Sequence, residues 1–231
     1  MFTLTPLELE ALRLSLRVGL WSVAVSLPLG VLTAWLLARC RFPGKTLFIT
    51  LIHLPLVLPP VVVGYVLLVL FGKSGPIGAW LYESLGVSVA FTWRGAAIAS
   101  GVIAFPLMVR AIRLSLESVD RRLEQAARTL GARPWDVFAT VTLPLILPGI
   151  ITGVILAFIR GVGEFGATIT FVSSIPGETR TLPLAIYNLL QSPGGEAGAV
   201  RLSIIAVVLA MAALIASELI ARHVSRLNGH A

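Results

Sequence analysis

Charged side chains are scarce in this sequence. Asp, Glu, Lys and Arg together make up 13% of its 231 residues, whereas ordinary soluble domains carry about 25%. Apolar residues take their place at 57% of the chain, and the mean hydropathy is +0.93. This composition excludes an ordinary soluble domain and predicts a protein embedded in a membrane.

Cysteine is almost absent as well, since Cys40 is the only one in the sequence. A single cysteine forms no intrachain disulfide, and no neighbouring ligand residues accompany it for a metal site. The sequence also lacks a nucleophilic triad or a pair of carboxylates suited to acid–base chemistry. We therefore expect no catalytic residue, no metal and no cofactor on this chain.

A phosphate-binding loop is missing too. Residues 72–74, Gly-Lys-Ser, resemble the end of such a loop, but Leu67 stands where its first glycine is required. Residues 161–166 match the dinucleotide pattern G-x-G-x-x-G, yet they end an apolar run and lack the surrounding βαβ unit. The chain therefore cannot hydrolyse ATP itself, and any ATPase must be a separate polypeptide.

What the sequence does contain is a series of apolar runs that approach or exceed the roughly 20 residues needed to cross a bilayer. The shortest, residues 95–109, is flanked by Arg94 and Arg110, whose long side chains can reach the interface. Residues 165–175 are apolar but too short to cross. We expect one all-α domain over residues 1–231 with five spans, at about 14–38, 47–71, 93–113, 137–160 and 201–221.

Basic residues predict the orientation of these spans in the lipid bilayer. One side holds eleven of the eighteen Lys and Arg residues: Arg39, Arg41, Lys45, Arg110, Arg113, Arg121, Arg122, Arg128, Arg133, Arg222 and Arg226. By the positive-inside rule this side is cytoplasmic, so we expect an external N-terminus and an internal C-terminus. The acidic Glu8 and Glu10 before a full-length first run argue against a cleavable signal. The net charge of +7 is explained by this asymmetry and needs no nucleic-acid partner.

One polar helical pattern interrupts the apolar runs, in a segment at residues 118–136 that we predict to be cytoplasmic. Its apolar residues recur at helical spacing and are Leu123, Ala126, Ala127 and Leu130. Gly131 is suited to a left-handed C-cap, and Pro134 prevents simple continuation of the helix. The pattern predicts a short amphipathic helix exposed on the cytoplasmic face, which is the form of a docking element.

The fourth apolar run carries small residues at four-residue steps, which are Gly149, Gly153, Ala157 and Gly161. Such a ladder lets another backbone approach closely. Two interpretations are open: ordinary packing within one subunit, or a helix that lines a pathway or faces a second subunit. Continuity with the docking helix favours the second interpretation.

Two ionisable residues in or beside the apolar runs are functional candidates. His53 is inside the second run, where an ionisable residue is by default a functional hypothesis. The alternative is a neutral imidazole bonded to a carbonyl that a nearby proline leaves free. Glu164 follows Arg160 by four residues, so an ion pair is expected, and it is compatible with a gating role.

Several segments resemble a known family. Gln125-Ala126-Ala127, Gly131 and residues 141–144 (Val-Thr-Leu-Pro) are similar to the EAA signature of ABC-importer permeases, with Gln125 in place of glutamate and Val141 in place of isoleucine. Glu124, next in the chain, is a candidate for the ion pair that Gln125 cannot make. Residues 53–65, 124–131, 163–168 and 176–181 resemble the molybdate ABC transporter permeases more narrowly.

This resemblance implies a type I ABC importer permease fold in the bacterial cytoplasmic (inner) membrane. It also implies a second copy of the chain, two cytoplasmic ATPase subunits that bind ATP-Mg, and an external binding protein that delivers molybdate or tungstate. The implied ATPase-coupling residues are Leu123, Glu124, Gln125, Ala126, Ala127, Leu130 and Gly131. The candidate gate and pathway residues are Gly163, Glu164, Phe165, Gly166, Thr168 and His53.

Two alternatives remain open at this stage. Sulfate/thiosulfate permeases are similar in length and topology, and sulfate and molybdate are both tetrahedral dianions, so the residues alone do not separate them. A polytopic enzyme or receptor without an ATPase is the alternative from another class. Its discriminating features would be intramembrane acid or histidine clusters or a soluble output domain, and the sequence has neither.

Overall fold

The computed structural model describes residues 4–227, and its side chains as far as residue 220. Every regular element in that part of the chain is helical. The elements are α1 (Pro6–Arg39), α2 (Lys45–Val57), α3 (Pro60–Phe71), α4 (Pro76–Leu85), α5 (Trp93–Ser118), α6 (Arg121–Thr129), α7 (Pro134–Val137), a π-helical turn (Phe138–Thr142), α8 (Leu143–Val162), α9 (Gly166–Val172), α10 (Leu182–Leu190) and α11 (Glu196–Leu227). The side chains of Arg222 and Arg226, used above for orientation, lie outside the described residues.

Four helices in the described region are long and apolar enough to cross a membrane: α1, α5, the continuous stretch Pro134–Val162, and Glu196–Ile220 of α11. They coincide with four of the five predicted spans. The first begins earlier than predicted because Thr5 and Glu8 form a capping box, in which each side chain accepts a hydrogen bond from the other's backbone N–H. The third predicted span corresponds to α5, which is longer than its apolar run because it continues past Arg110 to Ser118.

The second predicted span contains a sharp bend. Residues 47–71 divide into α2 and α3, which are bent by 112° at Leu58 and Pro59. Pro59 and Pro60 are adjacent and neither carries a backbone N–H, so the helical hydrogen bonds cannot continue through them. Pro60 then serves as the first residue of α3, a position where proline is favoured.

The two ends of this bent pair lie at opposite ends of the bundle. At the start of α2, Lys45 Nζ donates to the carbonyl of Cys40, just after α1 ends. At the end of α3, the Phe71 ring contacts Phe171, which packs beside Gly95 at the start of α5. The helices α1 and α5 run side by side in the same direction, since Trp21 contacts Trp93 and Gly30 lies against Met108 further along both helices. The bent pair α2–α3 is therefore the candidate for the fifth span.

The helices enclose two main apolar clusters, one at each end of the bundle. The first joins the early part of α1 with α3, α9 and the start of α5, around Val18, Ile103 and Phe171. The second joins the end of α1 with the later part of α5 and with α8, around Leu37 and Ile112. The two clusters hold α1 and α5 together along their length, and the second cluster adds α8.

The small-residue ladder of α8 faces the interior of the subunit. A Cβ atom on Gly149 would overlap Ser115 Cβ of α5, and one on Gly153 would lie 3.1 Å from the carbonyl oxygen of Met108. A Cβ atom on Gly161 would be in ordinary van der Waals contact with Ser100, at 3.5 Å. Ordinary packing within one subunit is therefore the correct interpretation, and the favoured pathway or dimer-facing interpretation of these four residues was wrong.

Candidate functional site

The first candidate site is α6, the predicted docking helix. It begins at Arg121 because Asp120 caps it: the carboxylate of Asp120 accepts a hydrogen bond from the N–H of Arg122 at 2.9 Å. It contains no buried residue, and its apolar residues belong to none of the hydrophobic clusters in the described chain. A helix of nine residues is too short to be stable alone, so its neighbours must hold it.

The end of α6 is fixed by glycine, as predicted. Gly131 has φ +88°, the left-handed region that other residues rarely adopt. Its N–H donates to the carbonyl of Arg128 at 3.0 Å, and the N–H of Ala132 donates to Ala127 at 3.1 Å. These two bonds form a Schellman motif, which satisfies the last carbonyls of the helix and turns the chain sharply.

The apolar side of α6 points away from the rest of the subunit. Leu130 is 88% exposed, Leu123 is 49% exposed, and Gln125 and Ala126 are exposed as well, while Ala127 is half-buried. Trp135, just beyond the glycine turn, is 75% exposed and stacks on Phe138. Trp135 was not among the residues predicted for docking, although a tryptophan beside a docking helix is a signal present in the sequence. Together these residues form an exposed apolar surface beside a polar helix.

Glu124 points the opposite way, into the bundle. Its Oε1 accepts hydrogen bonds from Arg39 Nη2 at 2.7 Å and from Thr142 Oγ1 at 2.9 Å. The side chains of Arg39 and Glu124 are only 12% and 15% exposed. Glu124 therefore pairs within its own chain, and does not take the outward position of Gln125. Arg39 lies 85 residues away in sequence, so no local sequence pattern predicts this ion pair.

A π-helical turn joins α7 to α8. Residues Phe138–Thr142 form it, and the N–H of Leu143 reaches back five residues to the carbonyl of Phe138. Pro144 has no N–H, so the carbonyl of Thr140 loses its usual partner one turn later. Single π turns of this kind occur often at functional positions.

The second candidate site is residues 163–168, at the other end of α8. Glu164 is 2% exposed and pairs with Arg160 at 2.6 Å, as the four-residue spacing predicted. Its second oxygen accepts the N–H of Ala167 at 2.8 Å and so caps the start of α9. The hydroxyl of Thr168 donates to the carbonyl of Phe165 at 2.8 Å. Within this turn Glu164, Ala167 and Thr168 are buried, whereas Gly163 is exposed.

This turn packs tightly against the bent pair α2–α3. A Cβ atom on Gly64 would lie 2.5 Å from the carbonyl oxygen of Ala167, and one on Gly166 would lie 2.9 Å from Pro60 Cβ. The Phe165 ring contacts Tyr187 of α10, with 5.0 Å between centroids. The structure thus brings residues 163–168 against the 53–65 segment singled out in the sequence, with α10 on the other side.

The remaining singled-out segment, residues 176–181, lies at the same end of the bundle. Thr179 Oγ1 donates to the carbonyl of Ser173 and accepts from the N–H of Ile175, both at 2.9 Å. The carboxylate of Glu178 accepts the N–H of Trp93, at the start of α5. Three of the four segments that suggested the family therefore meet at one end of the bundle, and the fourth, residues 124–131, lies at the other end.

His53 does not join either site. Its Nδ1 lies 2.8 Å from the carbonyl oxygen of Ile49 in the same helix. A hydrogen bond to a backbone carbonyl was one of the two interpretations left open, but the carbonyl that Pro55 leaves free is that of Leu51. The ring is thus bound to a different carbonyl from the one predicted. Among the described residues, no group of three or more His, Cys, Asp or Glu is placed to hold a metal.

The arrangement of helices is that of the type I ABC importer permeases. A crystal structure of a bacterial ABC transporter that imports the acidic polysaccharide alginate superposes with a TM-score of 0.70 at 18% identity, over 96% of this chain and 80% of that one. The inward-facing MetNI methionine ABC transporter gives 0.65 at 19% identity, over 94% of both chains. At such low identity the likeness shows the fold alone.

Sequence comparison places the chain more narrowly. Residues 26–226 match the model of the binding-protein-dependent transport system inner membrane component, and the chain belongs to this family. It is 63% identical to the molybdenum transport system permease protein ModB of Escherichia coli (strain K12), over 95% of this chain and 96% of that protein. It is 54% identical to ModB of Haemophilus influenzae, over 96% and 97%. The resemblance to molybdate permeases drawn from the four segments is thereby confirmed.

A sulfate permease is also similar, at a lower level. The sulfate transport system permease protein CysW of Synechocystis is 40% identical over 86% of this chain and 73% of that protein. The similarity to ModB is therefore both higher and more complete.

Proposed function

We propose that this chain is the membrane-spanning permease subunit of an ATP-driven importer that moves molybdate, and also tungstate, into the cytoplasm. The observation that carries the proposal is the 63% identity to a molybdenum permease over nearly the full length of both proteins. Sulfate is the second candidate substrate, supported by the 40% identity to CysW over a smaller share of that protein. The chain supplies the path, and the energy comes from ATP-Mg bound to separate ATPase subunits.

The exposed side of α6 is the part of the chain that contacts the ATPase in this proposal. Leu123, Ala126 and Leu130 form an apolar face that nothing in the subunit covers, and Gln125 lies beside it. A groove on a partner would bury this face and recover its hydrophobic free energy. Gly131 fixes the direction in which Leu130 points.

The opposite end of the bundle carries the external gate in this proposal, at residues 163–168. Two copies of the chain form the pathway between them, and an external binding protein delivers the anion to it. The N-terminus is then outside and the C-terminus inside. The ion pair of Arg39 with Glu124 supports this assignment, because it joins the predicted cytoplasmic end of α1 to the predicted cytoplasmic docking helix.

Selectivity is expected to lie upstream of this chain. Removing a dianion from water is expensive, which argues against a tight, dry site within the membrane. Arg160, which lies beside residues 163–168, is neutralised by its ion pair with Glu164. We therefore expect the anion to cross along a hydrated path of low affinity. The choice between molybdate, tungstate and sulfate is then made by the binding protein.

The test is transport in proteoliposomes that contain the permease and its own ATPase subunits. Binding protein loaded with molybdate, tungstate or sulfate is added in turn, and both ATP hydrolysis and isotope uptake are measured. We expect stimulation by molybdate and tungstate and none by sulfate. Equal stimulation by sulfate would assign the chain to the sulfate permeases, and uptake without any binding protein would contradict an importer of this class.

A further inference from the structure

The least expected contact in this structure joins the docking helix to two membrane helices through a single carboxylate. Glu124 lies on α6, Arg39 is the last residue of α1, and Thr142 is the last residue before α8. All three meet at one oxygen atom, Oε1 of Glu124. We call this three-residue contact the Glu124 clamp.

The clamp is well placed to be strong. Thr142 is 3% exposed, and the two charged side chains are largely covered, so solvent and salt screen the pair less than they screen a surface ion pair. Arg39 also stands at the C-terminal end of α1, where a positive charge interacts favourably with the helix dipole. Arg121 adds a weaker link between the same elements, from its Nη2 to the carbonyl of Ala38 at 3.4 Å.

No fully buried hydrophobic residue anchors α6. Since α6 contains no buried residue, its outward face is free for a partner and its inward face is held by polar contacts. The chain connection on the far side runs through the Gly131 turn, α7 and the π-helical turn before α8 begins. The clamp bypasses this longer connection, because the hydrogen bond between Glu124 and Thr142 links α6 directly to the start of α8.

We infer that Glu124 is the residue that transmits movement of the docking helix to α1 and α8. This role rests on the proposed function, in which the outward face of α6 follows the ATPase. From Thr142, α8 runs for 20 residues, about 30 Å, to the Arg160–Glu164 pair at the gate segment. Gln125 and its apolar neighbours then bind the ATPase, while Glu124 carries the displacement inward; it is a positioning residue and not a docking one.

The test compares Glu124→Gln and Arg39→Gln with Glu117→Gln in the reconstituted transporter. Glu117 is the matched control: it pairs with Arg113 at the same 2.7 Å, but within α5, at the surface, and without linking two elements. We expect the two clamp variants to co-purify with the ATPase to within twofold of wild type and to hydrolyse ATP. Molybdate moved per ATP hydrolysed should fall at least tenfold, and remain unchanged in Glu117→Gln.

A charge exchange and a distance measurement complete the test. The double variant Glu124→Arg with Arg39→Glu restores the pair in reverse and should recover most of the transport per ATP. On the permease alone, in a Cys40→Ser background, spin labels at Arg122→Cys and Leu47→Cys should give a narrow distance distribution. Glu124→Gln should broaden it and Glu117→Gln should not.

The outcomes separate the clamp from simpler explanations. Loss of ATPase binding together with transport would reduce Glu124 to a folding role and overturn the inference, as would wild-type transport per ATP in both clamp variants. Failure of the proposed function would be seen instead in the wild type, as a permease that binds no ATPase. The transmission role would then fall with it, while the label distances would still report whether the clamp holds α6.

Discussion

Gly131 offers the sharpest test of the docking helix, through the substitution Gly131→Val. The glycine has φ +88°, and no atom lies within 4 Å of the position that a Cβ would take. The cost of the substitution is therefore purely conformational: a β-branched residue is forced toward the left-handed region, at about 1–2 kcal/mol. No packing is lost, so membrane insertion and the rest of the fold should be unaffected.

That strain acts on the Schellman motif, which sets the direction of Leu130. When the motif opens, the exposed apolar face of α6 no longer presents one surface. If the ATPase binds only the closed form, its affinity falls by at most the same free energy, which is roughly 5- to 30-fold. Asparagine enters the left-handed region more readily than valine, so Gly131→Asn should lose less.

Binding is measured by titrating the purified permease in detergent with the ATPase subunit in a calorimeter. Gly86→Val is the matched control, because Gly86 follows α4 with φ +65° and also has no atom within 4 Å. It imposes the same strain at the opposite end of the bundle and should leave ATPase affinity unchanged. Wild-type affinity for Gly131→Val, or an equal loss for Gly86→Val, would refute the reasoning.

Three further predictions follow from the same structure. Cys40, at the end of α1, should react with a membrane-impermeant maleimide in inverted vesicles and not in intact right-side-out ones; labelling of intact vesicles would reverse the orientation of every loop. Leu130→Asp should leave thermal stability unchanged, because the side chain is 88% exposed. It should lower ATPase co-purification at least tenfold by placing an unpaired charge in the interface. Normal co-purification would show that α6 is not the docking element. Gly149→Val should destabilise the α5–α8 packing by about 1–3 kcal/mol, because its Cβ overlaps Ser115. A melting curve measures this loss, with Gly163→Val as the control because its Cβ meets only one carbonyl oxygen, at 3.5 Å. Equal melting temperatures for the two variants would contradict the packing.

The features that the sequence determined by itself are local or compositional. Apolar runs are read directly from composition, because a bilayer imposes a length and an apolarity on whatever crosses it. The docking helix was predictable because its signals are local: its apolar residues recur at helical spacing, and Gly131 follows its last turn directly. The Arg160–Glu164 pair was predictable for the same reason, since four residues along a helix bring two side chains together.

Tertiary structure decided the features that depend on what lies across the bundle. The small residues of α8 are compatible both with a dimer interface and with packing inside the subunit, because they permit close approach of any helix. Only the position of α5 in the structure identifies the helix that they contact. The 112° bend needs the adjacent prolines and also a partner, α9, that covers Gly64. The Glu124 clamp joins residues 85 positions apart, and no periodicity encodes such a contact. Local chemistry therefore specified the elements, and the packing of distant helices specified which of their faces meet.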